Sequence, residues 1–291
     1  MCFMIEAAGR IQPGLLTPWI EAVLATGLAV GGYGLGRYFS KQRAPWWLLG
    51  YLLPLVVIVL FALGRRMPRL EFVPPISWLL AGRNEFALGG LVTAWILTTP
   101  LTRLPVRRQR IAILCFVVFF VAVQAVWPFL APAFNRQMLL SLPTQIDGDG
   151  ICRQGTDYNC GPAAAVTGLR QFGIAAEEGE LAVLAYTSTA IGTPPDLLQT
   201  AIQKRFGAQG ITATLRHFES VHELEQAGIT LAVIKYGLFV DHYVTVLRAD
   251  PQLIVVGDPA RGITAYRPED FANQWRFTGI VLNRERKAQA R

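Results

Sequence analysis

Along the first half of this chain apolar residues run in long unbroken blocks; along the second they fall into short strands and helical faces. Residues 46–64 (WWLLGYLLPLVVIVLFALG) and 111–130 (IAILCFVVFFVAVQAVWPFL) carry no charge. At 1.5 Å per residue each is long enough to cross a hydrocarbon layer of ~30 Å. Each has tryptophan near an end, where the ring suits the headgroup level. Residues 19–38 (WIEAVLATGLAVGGYGLGRY) read as a weaker span, since Glu21 lies near its start, where it could reach the interface. Residues 86–101 (FALGGLVTAWILTTPL) are the weakest, limited upstream by Arg83 and Glu85. The pattern predicts about four transmembrane helices within residues 1–143. The competing reading, a buried helical bundle, fits poorly with apolar segments this long joined by arginine-rich connections. A cleaved signal peptide also fits poorly: the N-terminus holds Glu6 and Arg10 and shows no small-residue cleavage site.

After Pro143 the pattern changes. TQIDGDG (144–150) is polar and glycine-bearing, as a domain boundary should be. Residues 162–172 read as a helix, and Thr193-Pro-Pro-Asp opens another that ends near Gly207. Ser220-x-x-Glu223 is a capping box before a short helix closed by Gly228. The segments ITLAVIKYG, HYVTVLRA, QLIVVGD, ITAY and GIVLNR then read as strands, with RPEDFANQW a helical turn or two before the last. Helices followed by an antiparallel sheet give an α+β domain over residues 144–291, with no internal repeat.

Charge sharpens the division. Residues 1–143 hold 13 Lys and Arg against four acids, net +9, while the remainder is net −2. The arginines lie between apolar runs rather than on a folded basic face, which points to a lipid bilayer and away from nucleic acid. The expectation is a multi-pass protein of a bacterial-type inner membrane. With four spans, the connections carry seven basic residues on one side and five or six on the other. That slight bias leans toward an extracytoplasmic α+β domain, and losing one span reverses it.

The four cysteines (Cys2, Cys115, Cys152, Cys160) are too scattered for a disulfide framework. Without a C-x-x-C pair or a G-x-x-x-x-G-K-[ST] loop, neither a zinc ribbon nor a P-loop ATPase is expected, and no cofactor is called for. Cys160 is different, because it stands where a loop becomes a helix. There free N–H groups and the macrodipole favour a thiolate. From that segment alone a buried structural cysteine is an equal reading. A thiolate catalyst needs an imidazole and an orienting group. Of the three histidines, His217 and His222 flank the capping box and read as surface residues. His242 opens the strand HYVTVL, and Asp258 ends the next, QLIVVGD. A hairpin through ADPQ would bring those two ends together. Asp241 competes as orienter, but neighbours on a strand point to opposite faces. Gln154, six residues before Cys160, is placed to offer a side-chain amide to an oxyanion, though a lone glutamine there is more often a solvated loop residue.

Gln154-x5-Cys160-Gly161-Pro162-Ala163, His242-Tyr243-Val244 and Asp258-Pro259, in that order, resemble the bacteriocin-processing, double-glycine cysteine peptidases. The likeness runs from about Cys152 to Arg284. It implies a papain-like fold, with Cys160 as nucleophile, His242 as general base and acid, Asp258 as orienter and Gln154 as oxyanion donor. It also implies cleavage of a peptide or protein substrate, with leader peptides cut after Gly-Gly the family's usual case. Members are commonly fused to an ABC exporter; here a membrane region precedes the domain and no ATPase motif follows, so any transporter partner is expected to be a separate protein. Asn159 stands where those exporters usually have Asp. The same groups would also serve a papain-like amidase or acyltransferase. A non-catalytic peptide-binding domain on a membrane scaffold is the third reading, and the filled catalytic positions speak against it. In an oxidising compartment Cys152 and Cys160 could pair and silence the nucleophile.

Overall fold

The computed structural model describes residues 17–237 and 240–284. Within them the chain packs as two compact units divided between Phe134 and Asn135. The signal-peptide reading, with Glu6 and Arg10, lies outside the described residues.

The first unit is helical. Helix α1 (Thr17–Ser40) is followed by α2 (Leu49–Arg66) and α3 (Asn84–Thr98). A fourth, α4 (Arg107–Phe120), runs on through a wider turn at Val121–Val126 into Trp127–Phe134. The buried face of α1 is built of small residues, including Ala25, Ala29, Gly32 and Gly36. A Cβ on Gly32 would lie 2.2 Å from the Leu91 carbonyl oxygen, and one on Gly36 2.5 Å from that of Trp95. The backbones of α1 and α3 therefore touch, which any larger residue would prevent.

Two helical stretches among the described residues are long and apolar enough to cross a membrane: Trp46–Gly64 and Arg107–Phe134. Along the first, Leu52, Leu55, Val59, Leu60 and Leu63 all face outward. The expected four spans are thus two by length and apolarity. Helix α1 is long enough, but its five glycines and Glu21 dilute its hydrophobicity. Helix α3 has 15 residues and reaches only ~22 Å at 1.5 Å per residue. Nor does Glu21 stand alone at an interface. It pairs with the buried Arg83, which also donates to the carbonyls of Pro128 (3.2 Å) and Phe129 (3.3 Å). Those acceptors offset the cost of burying the guanidinium.

The second unit is α+β. Its six-stranded antiparallel sheet has the order β3 (Ile211–His217), β8 (Trp275–Arg284), β4 (Ile229–Gly237), β5 (Val240–Ala249), β6 (Ile254–Asp258), β7 (Gly262–Tyr266). A separate two-residue ribbon pairs β1 (Gln145–Ile146) with β2 (Cys152–Arg153). Short helix α5 (Arg136–Leu140) precedes the ribbon. Helices α6 (Cys160–Arg170), α7 (Glu178–Leu184) and α8 (Pro195–Phe206) share one core with the sheet. A second core gathers Phe218, Phe271 and Trp275 around Val244, Val246, Ile254 and Val256, beside α9 (Pro268–Gln274). Strand β4 has a five-residue run, Thr230 to Ile234, buried throughout. That explains its unbroken apolar stretch, since a strand covered on both faces has no polar side to show.

Helix α6 is buried from Cys160 to Leu169, which is why it is made of alanine, glycine and threonine. A Cβ on Gly168 would come within 2.9 Å of Leu282 and 3.1 Å of Leu231, so the helix lies hard against the sheet. Pro162 is tolerated because the first helical turn has no use for its missing N–H. Strand β3 and helix α7 were not legible in the sequence: ITATLRH mixes threonine and basic residues, and α7 is a seven-residue helix.

Candidate active site

Cys160 is the first residue of α6 and is 8% exposed. Asn159, at the N-cap, makes no side-chain capping bond, so its side chain satisfies none of the first N–H groups of the helix. His242 lies near the start of β5 and Asp258 at the end of β6. The two strands pair with Thr245 opposite Gly257, and His242 Nε2 meets Asp258 Oδ1 at 2.8 Å, both side chains buried. Helix and strand are fixed to each other close by. Thr245, three residues beyond His242, donates at 2.7 Å to the carbonyl of Ala164, four residues beyond Cys160.

Burial works to drain the proton from His242. The hydrogen bonds to Asp258 and Cys160, with the charges those groups carry, overcome it and hold the ring at about 9. Burial likewise works to raise Asp258, but the His242 bond, a 2.8 Å hydrogen bond from the Ala260 N–H, and the charges of His242 and Arg261 keep its carboxyl below the usual value. With Nε2–H donated to Asp258, Nδ1 is the nitrogen left for the sulfur. A thiol, a ring that keeps its proton past neutrality and a buried carboxylate therefore form one connected set. Such a set can carry a thiolate–imidazolium pair.

Gln154 joins the neighbourhood through its backbone, donating at 3.1 Å to the carbonyl of Pro259, next to Asp258. Its side-chain amide donates at 3.0 Å to the carbonyl of Thr156, and its Oε1 is buried with no partner among the described residues. Asp241 is taken up by Arg276 at 2.9 Å, which removes it as a rival orienter. His222 is exposed and meets Glu225 at 3.0 Å, and His217 ends β3 opposite Thr278. Cys152 and Cys160 are both free thiols. Burial above all, then the nearby Glu178 carboxylate, push the Cys152 thiol up to about 12. Among the described residues no three His, Cys, Asp or Glu side chains gather closely enough to hold a metal.

Two neighbours of the site went unread in the sequence. Tyr236 stands 5.2 Å, ring to ring, from His242; an aromatic at the end of a strand pattern gives no hint of it. Glu178 is buried beside the loop that leads to Cys160 and accepts the Gly155 N–H at 2.9 Å. Burial raises its carboxyl, against the Gly155 bond and the nearby Asn159 amide. The run Glu177-Glu178-x-Glu180, acidic as a first helical turn often is, was the available signal.

A family model described as Peptidase C39 family matches residues 150–289. An uncharacterized protein of Methanothermobacter marburgensis is 36% identical over 137 residues, which is 47% of this chain and 89% of that protein. The probable functional amyloid protease FapD of Pseudomonas aeruginosa is 28% identical over 135 residues, covering 45% of this chain and 58% of FapD. Among solved structures, the peptidase domain of Streptococcus ComA, a bi-functional ABC transporter involved in quorum sensing, aligns at a TM-score of 0.39. Its identity is 21%, over 46% of this chain and 96% of that domain.

Proposed function

Because the chain belongs, through residues 150–289, to the Peptidase C39 family and is a cysteine peptidase, we propose that Cys160, His242 and Asp258 are its catalytic groups. The observation that carries this reading is the buried 2.8 Å bond from His242 to Asp258, on a ring that the nearby Cys160 also helps to keep protonated. The thiolate adds to the scissile carbonyl carbon, and the carbonyl oxygen takes the negative charge. That oxygen meets the Cys160 N–H and the Gln154 side-chain amide, once the amide has swung from the Thr156 carbonyl. The imidazolium then protonates the departing amine, and the C–N bond breaks to leave a thioester. The neutral ring takes a proton from water, whose oxygen displaces the sulfur and restores the thiolate–imidazolium pair.

The substrate class this supports is a peptide. A leader segment ending in Gly-Gly is the first candidate, from the sequence resemblance of Gln154, Cys160, His242 and Asp258 to that group of peptidases. Residues 1–143 form a membrane region on this reading, with α1 as a third span beside the two more apolar stretches and the shorter α3 packed against α1. Residues 144–291 form the peptidase domain, which leans to the extracytoplasmic side.

Iodoacetamide labelling near pH 7 on membranes washed with alkaline carbonate tests the reading, with sites identified by mass spectrometry. The chain should stay in the washed membrane. Cys160 should alkylate at least a hundredfold faster than Cys152, whose thiol near 12 is almost wholly protonated at that pH. His242→Ala should remove most of that advantage. Equal, slow labelling of both cysteines would overturn the assignment. For Gln154 the expectation is kinetic. Gln154→Ala should lower kcat on a Gly-Gly peptide by ~10²–10³ and leave KM nearly unchanged, because the donor acts on the oxyanion alone. A rise in KM at constant kcat would instead make Gln154 a substrate-binding residue.

A further inference from the structure

Asn159 and Glu178 are both fully buried beside the nucleophile, and neither does the ordinary work of its type. An asparagine at an N-cap normally accepts an N–H of its own helix; Asn159 does not. Its Nδ2 and Oδ1, and Glu178 Oε2, have no hydrogen-bond partner within normal reach among the described residues. Both Glu178 carboxylate oxygens nevertheless lie against the Gly155–Asn159 loop, 3.6 and 3.8 Å from where a Gly155 Cβ would sit, and the Asn159 amide acts to lower that carboxyl. The other carboxylate oxygen, Oε1, holds the Gly155 N–H at 2.9 Å. One buried carboxylate therefore stands between the residue after Gln154 and the residue before Cys160. It has little room to withdraw. The Glu178 N–H is fixed on Thr144 Oγ1 at 2.9 Å, and a Cβ on the next residue, Gly179, would lie 2.2 Å from the Leu139 carbonyl oxygen.

We propose that Glu178 and Asn159 are a matched carboxylate–amide pair of positioning residues. A small closure of the loop lets Glu178 Oε2 take the amide hydrogens of Asn159, and so sets where α6 begins and where the Cys160 thiol points toward His242. Through Gly155 it fixes the other end of the same loop. Complementarity is the essential feature, since a buried acceptor-only group needs a donor opposite it. Two carboxylates at these positions would repel, and one would be forced to take a proton. Exchanging the two chemistries would keep the match with the polarity reversed.

The inference rests on Cys160 being the nucleophile, and its test reads the sulfur directly rather than turnover. Iodoacetamide alkylation of Cys160 near pH 7 is followed on the full chain in detergent, beside its thermal unfolding. Asn159→Asp should slow alkylation by about tenfold or more, and Glu178→Gln by a few-fold. The double variant Asn159→Asp with Glu178→Gln should return to within about threefold of the parent, since contacting residues couple rather than add. A double variant slower than, or equal to, the worse single would overturn the pairing, as would an Asn159→Asp rate equal to the parent's. If Asn159→Asp does not fold, the double variant decides alone: it must fold and alkylate at a near-parent rate. His242→Ala in the same assay separates the two readings. An unchanged rate there sinks the thiolate–imidazolium assignment, while the exchange result still decides the pair.

Discussion

Replacing Cys160 with alanine should abolish peptide cleavage while leaving the fold intact. The expected loss in kcat is on the order of 10⁶, because removing the nucleophile also removes what His242 and Asp258 serve. A remnant of up to ~10³–10⁴ over the uncatalysed reaction can survive on binding and oxyanion contacts, yet it lies far below any practical assay of this enzyme. The structural cost should be small. Cys160 is the first residue of a helix whose next residues are glycine, proline and three alanines, so alanine continues a packing already made of small side chains. Losing one sulfur there is comparable to losing a methyl group, about 1 kcal/mol. Cleavage of a Gly-Gly peptide, followed by mass spectrometry, and thermal unfolding of the same preparation are the two measurements. A folded Cys160→Ala variant that keeps more than about one percent of the parent's cleavage would transfer the chemistry to another residue.

How much of this was legible without coordinates depends on which force wrote each element. Chain connectivity made the His242–Asp258 meeting readable, because two strands joined by a tight turn must bring the start of one to the end of the other. The 2.8 Å bond between them is that geometry made explicit. Helix α6 was readable from its alanines, and the two charge-free blocks from their length. Strand β3 was not, since its place at the sheet edge against β8 leaves several of its residues only partly buried and dilutes the apolar alternation. The four-span expectation exceeded what length and apolarity give for α1 and α3, where glycine contacts between backbones replace bulk hydrophobicity. Glu178 was out of reach for a different reason. Its meaning depends on which groups surround it 19 to 23 residues away, at Asn159 and Gly155, and no local pattern encodes a tertiary contact of that kind. Asp241 shows the converse. Adjacent to the histidine in sequence, it is claimed by Arg276 across the sheet.

Asp258→Ala should cost both activity and stability, and the stability cost should depend on pH in a defined window. In activity the loss should reach ~10³–10⁴ in kcat, as expected when an imidazole loses the group that fixes its tautomer. In stability the sign follows from the two partners. His242 is held at about 9 in the folded chain against an ordinary 6.5, so its contribution is complete below about 6.5 and disappears as pH rises through about 9. The rise corresponds to ~3 kcal/mol, part of it owed to Cys160 rather than Asp258. Asp258 is held below its ordinary value, so its contribution is present above about 3.8 and is lost as pH falls through the lower folded value. The difference in unfolding free energy between parent and variant should therefore be greatest near pH 5–6, at up to ~3 kcal/mol, and should shrink toward pH 10. Denaturant melts of the full chain in detergent at pH 6, 8 and 10 would measure it. A difference that stays constant across that range would mean that Asp258 contributes through packing alone. In that case the ring would not carry its proton past neutrality, and the imidazolium would have to be formed only as the thiol reacts.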